Sequence, residues 1–149
     1  MRVMDVPEFH EACDLAAVNA GLTVRDAAEV MAGRNIGAVI VLDEGRMVGI
    51  FTERDLMTKV AAKGLDCGTT AVGDVMTRDV VTVSCESDLE SCVQCMAEGG
   101  FRHLPVIDDE GEPIGMISQR DFVALTLGQA LRRVSGTARA KLANIFRRD

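Results

Sequence analysis

The chain repeats one seven-residue segment about 66 residues after its first occurrence. The segment Gly49 to Asp55, with the sequence GIFTERD, returns as Gly115 to Asp121, with the sequence GMISQRD. A period this long with only two copies is typical of a paired fold rather than of a solenoid, whose units are shorter and more numerous. The chain is therefore predicted to contain two copies of one structural unit.

The apolar pattern within each copy predicts a strand, a helix, two further strands and a second helix. Short apolar runs at Leu15 to Val18 and Val80 to Val83 are typical of strands. Apolar residues then recur at helical spacing within residues 24–31 and 89–96. Each helix is followed by a predicted β-hairpin, with strands at Ala38 to Leu42 and Met47 to Phe51 in the first copy and at Leu104 to Ile107 and Ile114 to Ile117 in the second.

This order of elements predicts an α/β (α+β) fold of two β-α-β-β-α units. The units are expected at residues 10–64 and 72–128, and Lys63 to Thr70 has the composition of a connecting loop. The segment Asp5 to Cys13 is expected to form a short helix on the surface of the pair. Residues 129–149 are expected to form a basic helical tail, broken near Gly136.

The charge distribution argues against a nucleic-acid-binding protein. The net charge is −7, whereas proteins that bind nucleic acids carry basic surfaces. Residues 125–149 nevertheless carry +5, which leaves −12 on the rest of the chain. We interpret this basic tail as a helix with solvated arginines that flanks a dimer interface. Contact with an acidic partner, RNA or a membrane surface is the alternative.

The sequence contains no candidate for a membrane span or a signal peptide. Its longest apolar run, Ile36 to Leu42, is far shorter than the roughly 20 residues that a spanning helix needs. Acidic residues at positions 5, 8 and 11 are also unlike the start of a signal peptide. We therefore expect a cytoplasmic protein without a membrane span.

Five cysteines are too few and too scattered for a disulfide framework. Cys92 and Cys95 form a C-x-x-C pair, which is found in redox sites and in halves of metal sites. No second pair completes a set of four ligands, and both residues fall on the apolar stripe of a predicted helix. We interpret them as buried core residues and predict no metal site.

The repeated motif joins a hydroxyl, an arginine and a carboxylate at the start of a predicted helix. A carboxylate such as Asp55 or Asp121 can accept hydrogen bonds from both hydroxyls of a ribose, and an arginine can bind phosphate. The hydroxyls of Thr52 and Ser118 can contact a phosphate oxygen or a backbone amide. The same spacing also forms a helix capping box, which needs no ligand. The two roles are compatible.

The order of elements, the apolar hairpin and the ending Gly-apolar-apolar-Thr/Ser-x-x-Asp resemble the CBS domain family, over roughly residues 10–128. The stretch Phe101 to Val106, FRHLPV, adds to this resemblance. Two units in one chain resemble a Bateman module. The resemblance implies a pseudo-twofold pair whose clefts bind adenosine nucleotides such as AMP or ATP, and which often forms a homodimer.

The resemblance also implies a set of ligand-binding residues. The first strand and the start of the hairpin would contact the base, largely through the main chain, while the repeated motif would contact ribose and phosphate. The corresponding residues are Val18, Ala38, Thr52, Arg54 and Asp55 in the first unit, and Thr82, Val83, Arg102, His103, Pro105, Ser118, Arg120 and Asp121 in the second.

The two motif copies are predicted to bind ligand unequally. The second unit has Arg102 and His103 where the first has Gly37 and Ala38. Glu53 of the first motif is replaced by Gln119 in the second, which removes a negative charge beside the expected phosphate. We therefore expect the second motif to be the better binding site.

No nucleophile with a matched base is visible, and we predict a regulatory protein rather than an enzyme. The leading hypothesis is a stand-alone module that binds AMP, ADP or ATP, requires no cofactor and signals to an unknown effector protein. A ligand-free dimerisation scaffold is the alternative from another class. Binding of S-adenosylmethionine or NAD is a third possibility.

Overall fold

The computed structural model describes residues 1–6 and 15–133, with the side chains of the last helix described as far as residue 129. Two units of the same topology form most of this structure. The elements of the first unit are β1 (Ala17–Asn19), α1 (Val24–Arg34), β2 (Ala38–Asp43), β3 (Arg46–Thr52) and a helix that begins as α2 (Glu53–Asp55) and continues as a π-helical segment (Leu56–Ala61).

The second unit repeats this order after a short helix, α3 (Val72–Val75). Its elements are β4 (Val83–Ser84), α4 (Leu89–Gly99), β5 (His103–Ile107), β6 (Pro113–Ser118) and α5 (Gln119–Arg133). The predicted order of strand, helix, hairpin and helix is confirmed in both units. The first strand of each unit starts later than predicted, at Ala17 instead of Leu15 and at Val83 instead of Val80. Leu15 and Ala16 line a cavity, although the Ala16 carbonyl still accepts a hydrogen bond from the Ile40 amide of β2 at 2.9 Å.

Each unit contains a three-stranded sheet with the hairpin at one side. In the first sheet β1 pairs in parallel with β2, and β2 pairs antiparallel with β3. Strands β4, β5 and β6 repeat this arrangement. Even the irregularity is repeated, since the register of the hairpin shifts between Val41 and Leu42 and again between Val106 and Ile107.

The first helix of each unit is closed at both ends by its own sequence. Thr23 caps α1 by accepting a hydrogen bond from the Asp26 amide, and Asp88 caps α4 by accepting from the Ser91 amide. The helices end at Asn35 and Gly100, which both adopt left-handed backbone conformations with φ of 53° and 68°. These caps fix where the chain leaves each helix to enter the hairpin.

The two units exchange short segments that precede their first strands. The N-terminal arm, residues 1–6, lies on the second unit, where the Val3 amide donates to the Ser87 carbonyl at 2.9 Å. The central arm, residues 70–77, lies on the first unit, where the Val72 amide donates to the Leu22 carbonyl at 2.8 Å. These positions correspond in the repeat, so the exchange is reciprocal.

The arms supply apolar residues to cores that belong to the opposite units. The first core contains Val72, Val75 and Met76 of the central arm together with the buried residues Val18, Val24, Ala27, Met31, Val39, Val41, Phe51 and Val60. The second contains Val3 and Val6 of the N-terminal arm together with Leu89, Cys92, Met96, Leu104, Val106 and Ile117. Each core is therefore completed by the other half of the chain.

The C-x-x-C pair lies on α4; Cys92 packs in the second core as predicted, and Cys95 packs against that core. Cys92 is buried and Cys95 is half-buried. Burial raises the pKa of the Cys92 thiol, with smaller contributions from Cys95 and Asp88, so the thiolate is disfavoured.

The residues around Asp5 form a 3₁₀ turn, Val3–Asp5. Residues 7–13 of the predicted N-terminal helix and residues 134–149 of the predicted tail lie outside the described residues.

Replacing Gly49 with Ala should destabilise the protein by about 1–3 kcal/mol because the close contact of β3 with the central arm leaves no room. A β-carbon at Gly49 would lie 2.5 Å from the Thr77 carbonyl oxygen and 2.7 Å from Met76 Sδ. Urea unfolding would measure the change. Gly33→Ala is the control, because Gly33 lies in α1 with no atom near its β-carbon position, and it should stabilise by up to about 1 kcal/mol. Equal stability of Gly49→Ala and wild type would contradict the packing.

Candidate functional site

A cavity of about 840 Å³ lies between the two units. The first unit contributes the approach to β1, the end of α1, the start of β2 and the helix after β3, with Leu15, Ala16, Ala28, Met31, Ala32, Asn35, Ile36, Gly37, Ala38, Glu53 and Leu56. The second unit contributes the start of β5, the end of β6 and the start of α5, with Arg102, His103, Gly115, Met116, Ser118, Gln119, Arg120, Asp121 and Val123.

The second motif copy presents a carboxylate to this cavity. Asp121 Oδ2 accepts from the Ser118 amide at 2.7 Å and from Ser118 Oγ at 2.8 Å. Among the described residues, no hydrogen bond or ion pair involves the other oxygen, Oδ1. One oxygen thus holds the helix start in a capping arrangement, while the other is available to a ligand in the cavity.

Two arginines and a histidine of the second unit lie on the same cavity. Arg102 and Arg120 are exposed, and the part of the chain that the structure describes supplies no hydrogen-bond or ion-pair partner for either guanidinium. His103 is half-buried at the start of β5. These side chains can provide charge-assisted hydrogen bonds to an anionic group.

The start of β2 approaches this basic wall very closely. A β-carbon at Gly37 would lie 3.1 Å from His103 Nε2 and 3.3 Å from Glu53 Oε2. Glycine at this position therefore lets the imidazole and the Glu53 carboxylate lie against the first strand of the hairpin. The cavity is thus lined by two acidic side chains, Glu53 and Asp121, as well as by the basic ones.

Burial lowers the pKa of His103, and the nearby Arg102 charge lowers it further. The carboxylates of Glu53 and Asp121 act in the opposite direction but do not reverse the shift. The imidazole is therefore predominantly neutral at pH 7. A neutral ring can donate one hydrogen bond and accept another, whereas a charged ring could only donate.

The first motif copy has the same capping arrangement but different surroundings. Asp55 is buried, and its Oδ2 accepts from the Thr52 amide and hydroxyl, both at 3.1 Å. Its Oδ1 forms an ion pair with Lys59 Nζ at 2.9 Å and accepts from Thr77 Oγ1 at 3.0 Å. Arg54 donates to the Gly100 carbonyl oxygen at 2.7 Å. The functional groups of this copy are thus engaged within the protein.

The structure brings six of the thirteen predicted site residues together on the cavity: Ala38, Arg102, His103, Ser118, Arg120 and Asp121. The other seven are not among its lining residues: Val18, Thr52, Arg54, Asp55, Thr82, Val83 and Pro105. Val18 and Pro105 are buried in the sheets, and Val83 pairs with Val106.

The site combines the two units, whereas the sequence analysis assigned a separate cleft to each. The Asp121 motif faces the start of β2 in the first unit, so Ala38 belongs with Asp121 rather than with Asp55. The charge argument based on Glu53 and Gln119 also changes, since both residues line this one cavity. Sequence reasoning missed Leu15, Ala16, Asn35 and Ile36, which no motif marks.

Two segments of the chain, which together cover most of its length, match one known family of domains. The model described as CBS domain matches twice, over residues 9–62 and 72–128. The chain belongs to the CBS domain family. It carries two such domains in tandem, which confirms the resemblance seen in the sequence.

Curated relatives and solved structures agree with this assignment. The chain is 40% identical to the mitochondrial CBS domain-containing protein CBSX3 of Arabidopsis thaliana over 68% of its own length and 51% of that protein. It thus spans about half the length of this relative. It is 30% identical to the CBS domain-containing protein YhcV of Bacillus subtilis, over 87% and 89% of the two chains. The crystal structure of the CBS domain protein NE2398 superposes with a TM-score of 0.79 at 33% identity, over 85% of this chain and 98% of that one.

More distant CBS domain pairs with the same fold have been solved with adenosine compounds. The pair of protein MJ0100 contains 5′-methylthioadenosine and S-adenosylmethionine; it is 22% identical, with a TM-score of 0.73, over 85% of this chain and 99% of that one. The protein PAE2072 of Pyrobaculum aerophilum contains AMP; it is 20% identical, with a TM-score of 0.73, over 87% and 99%. At these identities the likeness establishes the fold alone.

Among the described residues of the present chain, no helix is both long and apolar enough to cross a membrane.

The depressed pKa of His103 predicts a stability that falls at mildly acidic pH. The unfolded chain, with a histidine pKa near 6.5, binds more protons than the folded chain below that pH. The contribution of neutral His103 to the free energy of unfolding is therefore fully present above about pH 6.5. It is lost as the pH falls toward the pKa of His103 in the folded protein. Urea unfolding of wild type and His103→Gln at pH 7.5, 6.5 and 5.5 would measure it. The wild type should lose more stability over this range, and identical pH dependence of the two proteins would contradict the prediction.

Proposed function

We propose that this chain is a regulatory module that binds an adenosine nucleotide, with AMP as the leading ligand, in the cavity between its two CBS domains. The observation that carries the proposal is the available carboxylate oxygen of Asp121, which shares a cavity with Arg102 and Arg120. An acid and two cations in one cleft match the ribose and the phosphate of a nucleotide.

The ribose would bind at the start of α5. Asp121 Oδ1 can accept hydrogen bonds from the 2′ and 3′ hydroxyls, while Oδ2 keeps its bonds to Ser118. The carboxylate is held in place before ligand arrives, because two hydrogen bonds already fix its orientation. Such preorganisation lowers the entropic cost of binding.

The phosphate would bind near the basic wall formed by Arg102, His103 and Arg120. Both guanidinium groups are exposed and can form charge-assisted hydrogen bonds with phosphate oxygens. Their positive charges also offset the repulsion that Glu53 and Asp121 would exert on an anion. A ligand that carries phosphate is therefore favoured over a neutral nucleoside.

The adenine would pack against the apolar wall that the first unit supplies. Leu15, Met31, Ile36 and Ala38 lie on this side of the cavity. Main-chain groups at the start of β2 can read the edge of the base, as the family resemblance implies. The cavity volume lies within the range of roughly 300–1,000 Å³ that is usual for small-molecule sites.

The proposal includes a signalling role. The module would report ligand occupancy to an effector protein of unknown identity, and it would act as a homodimer through its CBS pairs. Related structures support adenosine compounds as the ligand class, since AMP, S-adenosylmethionine and 5′-methylthioadenosine are bound in other CBS domain proteins. ATP as the ligand, the absence of catalysis and the cytoplasmic location stay predictions from the sequence.

A ligand panel would test the proposal. Thermal shift and calorimetry with AMP, ADP, ATP, adenosine, S-adenosylmethionine and NAD should show binding of AMP and weaker binding of adenosine. Ligand at 100 times its Kd should stabilise the protein by roughly 2.7 kcal/mol. If no compound up to millimolar concentration shifts the Tm or releases heat, the scaffold alternative replaces the sensor. If S-adenosylmethionine binds more tightly than AMP, the phosphate assignment is wrong.

Replacing Asp121 with Asn should weaken AMP binding about 10- to 100-fold, because it removes a charge-assisted contact to the ribose. Calorimetry would measure the change. Asp109→Asn is the matched control, since Asp109 is an exposed acid in the β5–β6 turn and is not one of the cavity-lining residues. Equal affinities of the two variants for AMP would contradict the assignment of Asp121.

A further inference from the structure

The two motif copies have similar residues but different surroundings. Both copies have a hydroxyl, an arginine and an aspartate at corresponding positions, and both aspartates cap their helices through Oδ2. They differ in what surrounds the second oxygen. Asp121 lines the cavity, and none of the described residues forms a hydrogen bond or ion pair with its Oδ1, whereas at Asp55 protein groups contact Oδ1.

The contacts to Asp55 come from two different parts of the chain. Lys59 lies one turn further along the π-helical segment and forms an ion pair with Oδ1 at 2.9 Å. Thr77, at the end of the central arm, donates its hydroxyl to both carboxylate oxygens, at 3.0 and 3.2 Å. Lys59 Nζ also donates to the Met76 carbonyl oxygen and to Thr77 Oγ1, both at 3.2 Å.

Because the Asp55 carboxylate is buried, loss of any of its partners would destabilise the folded protein. The Asp55 side chain is 7% exposed, and a carboxylate so far removed from water needs partners for both oxygens. A ribose could reach Oδ1 only by displacing the Lys59 ammonium and the Thr77 hydroxyl. Exchange of an ion pair for neutral hydroxyls at a buried carboxylate is unfavourable.

Backbone pairing holds Thr77 at this place. Its amide donates to the Ile50 carbonyl at 2.8 Å, and the Ile50 amide donates to the Thr77 carbonyl at 2.9 Å. The adjacent residue Gly49 has no side chain, which permits this close approach of the central arm to β3. The end of the central arm is therefore fixed to β3 beside the first motif by one isolated antiparallel bridge.

Arg54 closes the remaining part of the first motif. Its guanidinium donates to the carbonyl oxygen of Gly100, the residue that ends α4. The position that corresponds to Gly100 in the first unit is Asn35, which lines the cavity, as Arg120 does. In the first copy, Arg54 thus connects the first unit to the second. In the second copy, the corresponding residues lie on two separate walls of the cavity.

We propose that the first motif copy is an internal lock: Asp55, with Lys59 and Thr77, fastens the central arm to the first unit, and the chain binds a single ligand through Asp121. The position of Lys59 corresponds to Leu125 in the second unit, so the second motif copy lacks the cation that pairs with the aspartate in the first. The lock itself is independent of ligand, while the stoichiometry rests on the proposed function.

The repeat provides matched variants for the test. Asp55→Asn and Asp121→Asn remove one charge from the same position of each copy and keep an oxygen for the cap. Without ligand, Asp55→Asn should lower the folding equilibrium constant about tenfold or more, a value reduced from that of a fully buried pair because Lys59 is 36% exposed. Asp121→Asn should lower it about threefold or less.

Calorimetry with AMP gives the second measurement. Wild type and Asp55→Asn should each bind one AMP per chain, with Kd values within about threefold, while Asp121→Asn should bind AMP about 10- to 100-fold more weakly. Thr77→Val is a milder variant that removes the hydroxyl from both Asp55 oxygens; it should lower the stability and leave the stoichiometry at one.

Two results would overturn the lock. The first is two AMP molecules per wild-type chain, with one of them lost in Asp55→Asn. The second is equal ligand-free stability of Asp55→Asn and Asp121→Asn. If the wild type binds no AMP, the proposed function fails, but the ligand-free comparison of the two variants still decides whether the lock exists.

Discussion

The reciprocal exchange of arms is the constraint on which the rest of the structure depends. Each core is covered on one side by a segment from the opposite half of the chain, Val3 and Val6 in one case and Val72, Val75 and Met76 in the other. Neither unit therefore has a complete core on its own. The two sheets are held in one relative position by buried apolar area and by paired backbone hydrogen bonds, and this position creates the cavity between them.

Much of the fold could be predicted because it is encoded locally. Helical spacing marked α1 and α4, and apolar runs on both sides of turn residues marked both hairpins. The arms could not be predicted, since a few apolar residues such as Val3 and Val72 have no periodicity. The π-helical segment likewise has no sequence signature.

The candidate site was predictable in its residues but not in its assembly. The motif identified Ser118, Arg120 and Asp121, yet a repeat describes each unit separately and does not show which parts face each other. The pairing of Ala38 with Asp121 is a property of how the units pack. The structural role of Asp55 could not be predicted either, because it depends on Lys59 and Thr77, which lie outside the motif. These two residues matter because the fold brings them to a buried carboxylate.

The walls of the cavity come from two units, and this has a mechanical consequence. A small molecule that contacts Ile36 on one side and Asp121 on the other would act as a cross-link between the two sheets. Its presence would restrict their relative rotation, and its loss would restore that freedom. A protein that rests on the outer faces of both units could then respond to occupancy through the stiffness of the surface beneath it, without touching the ligand.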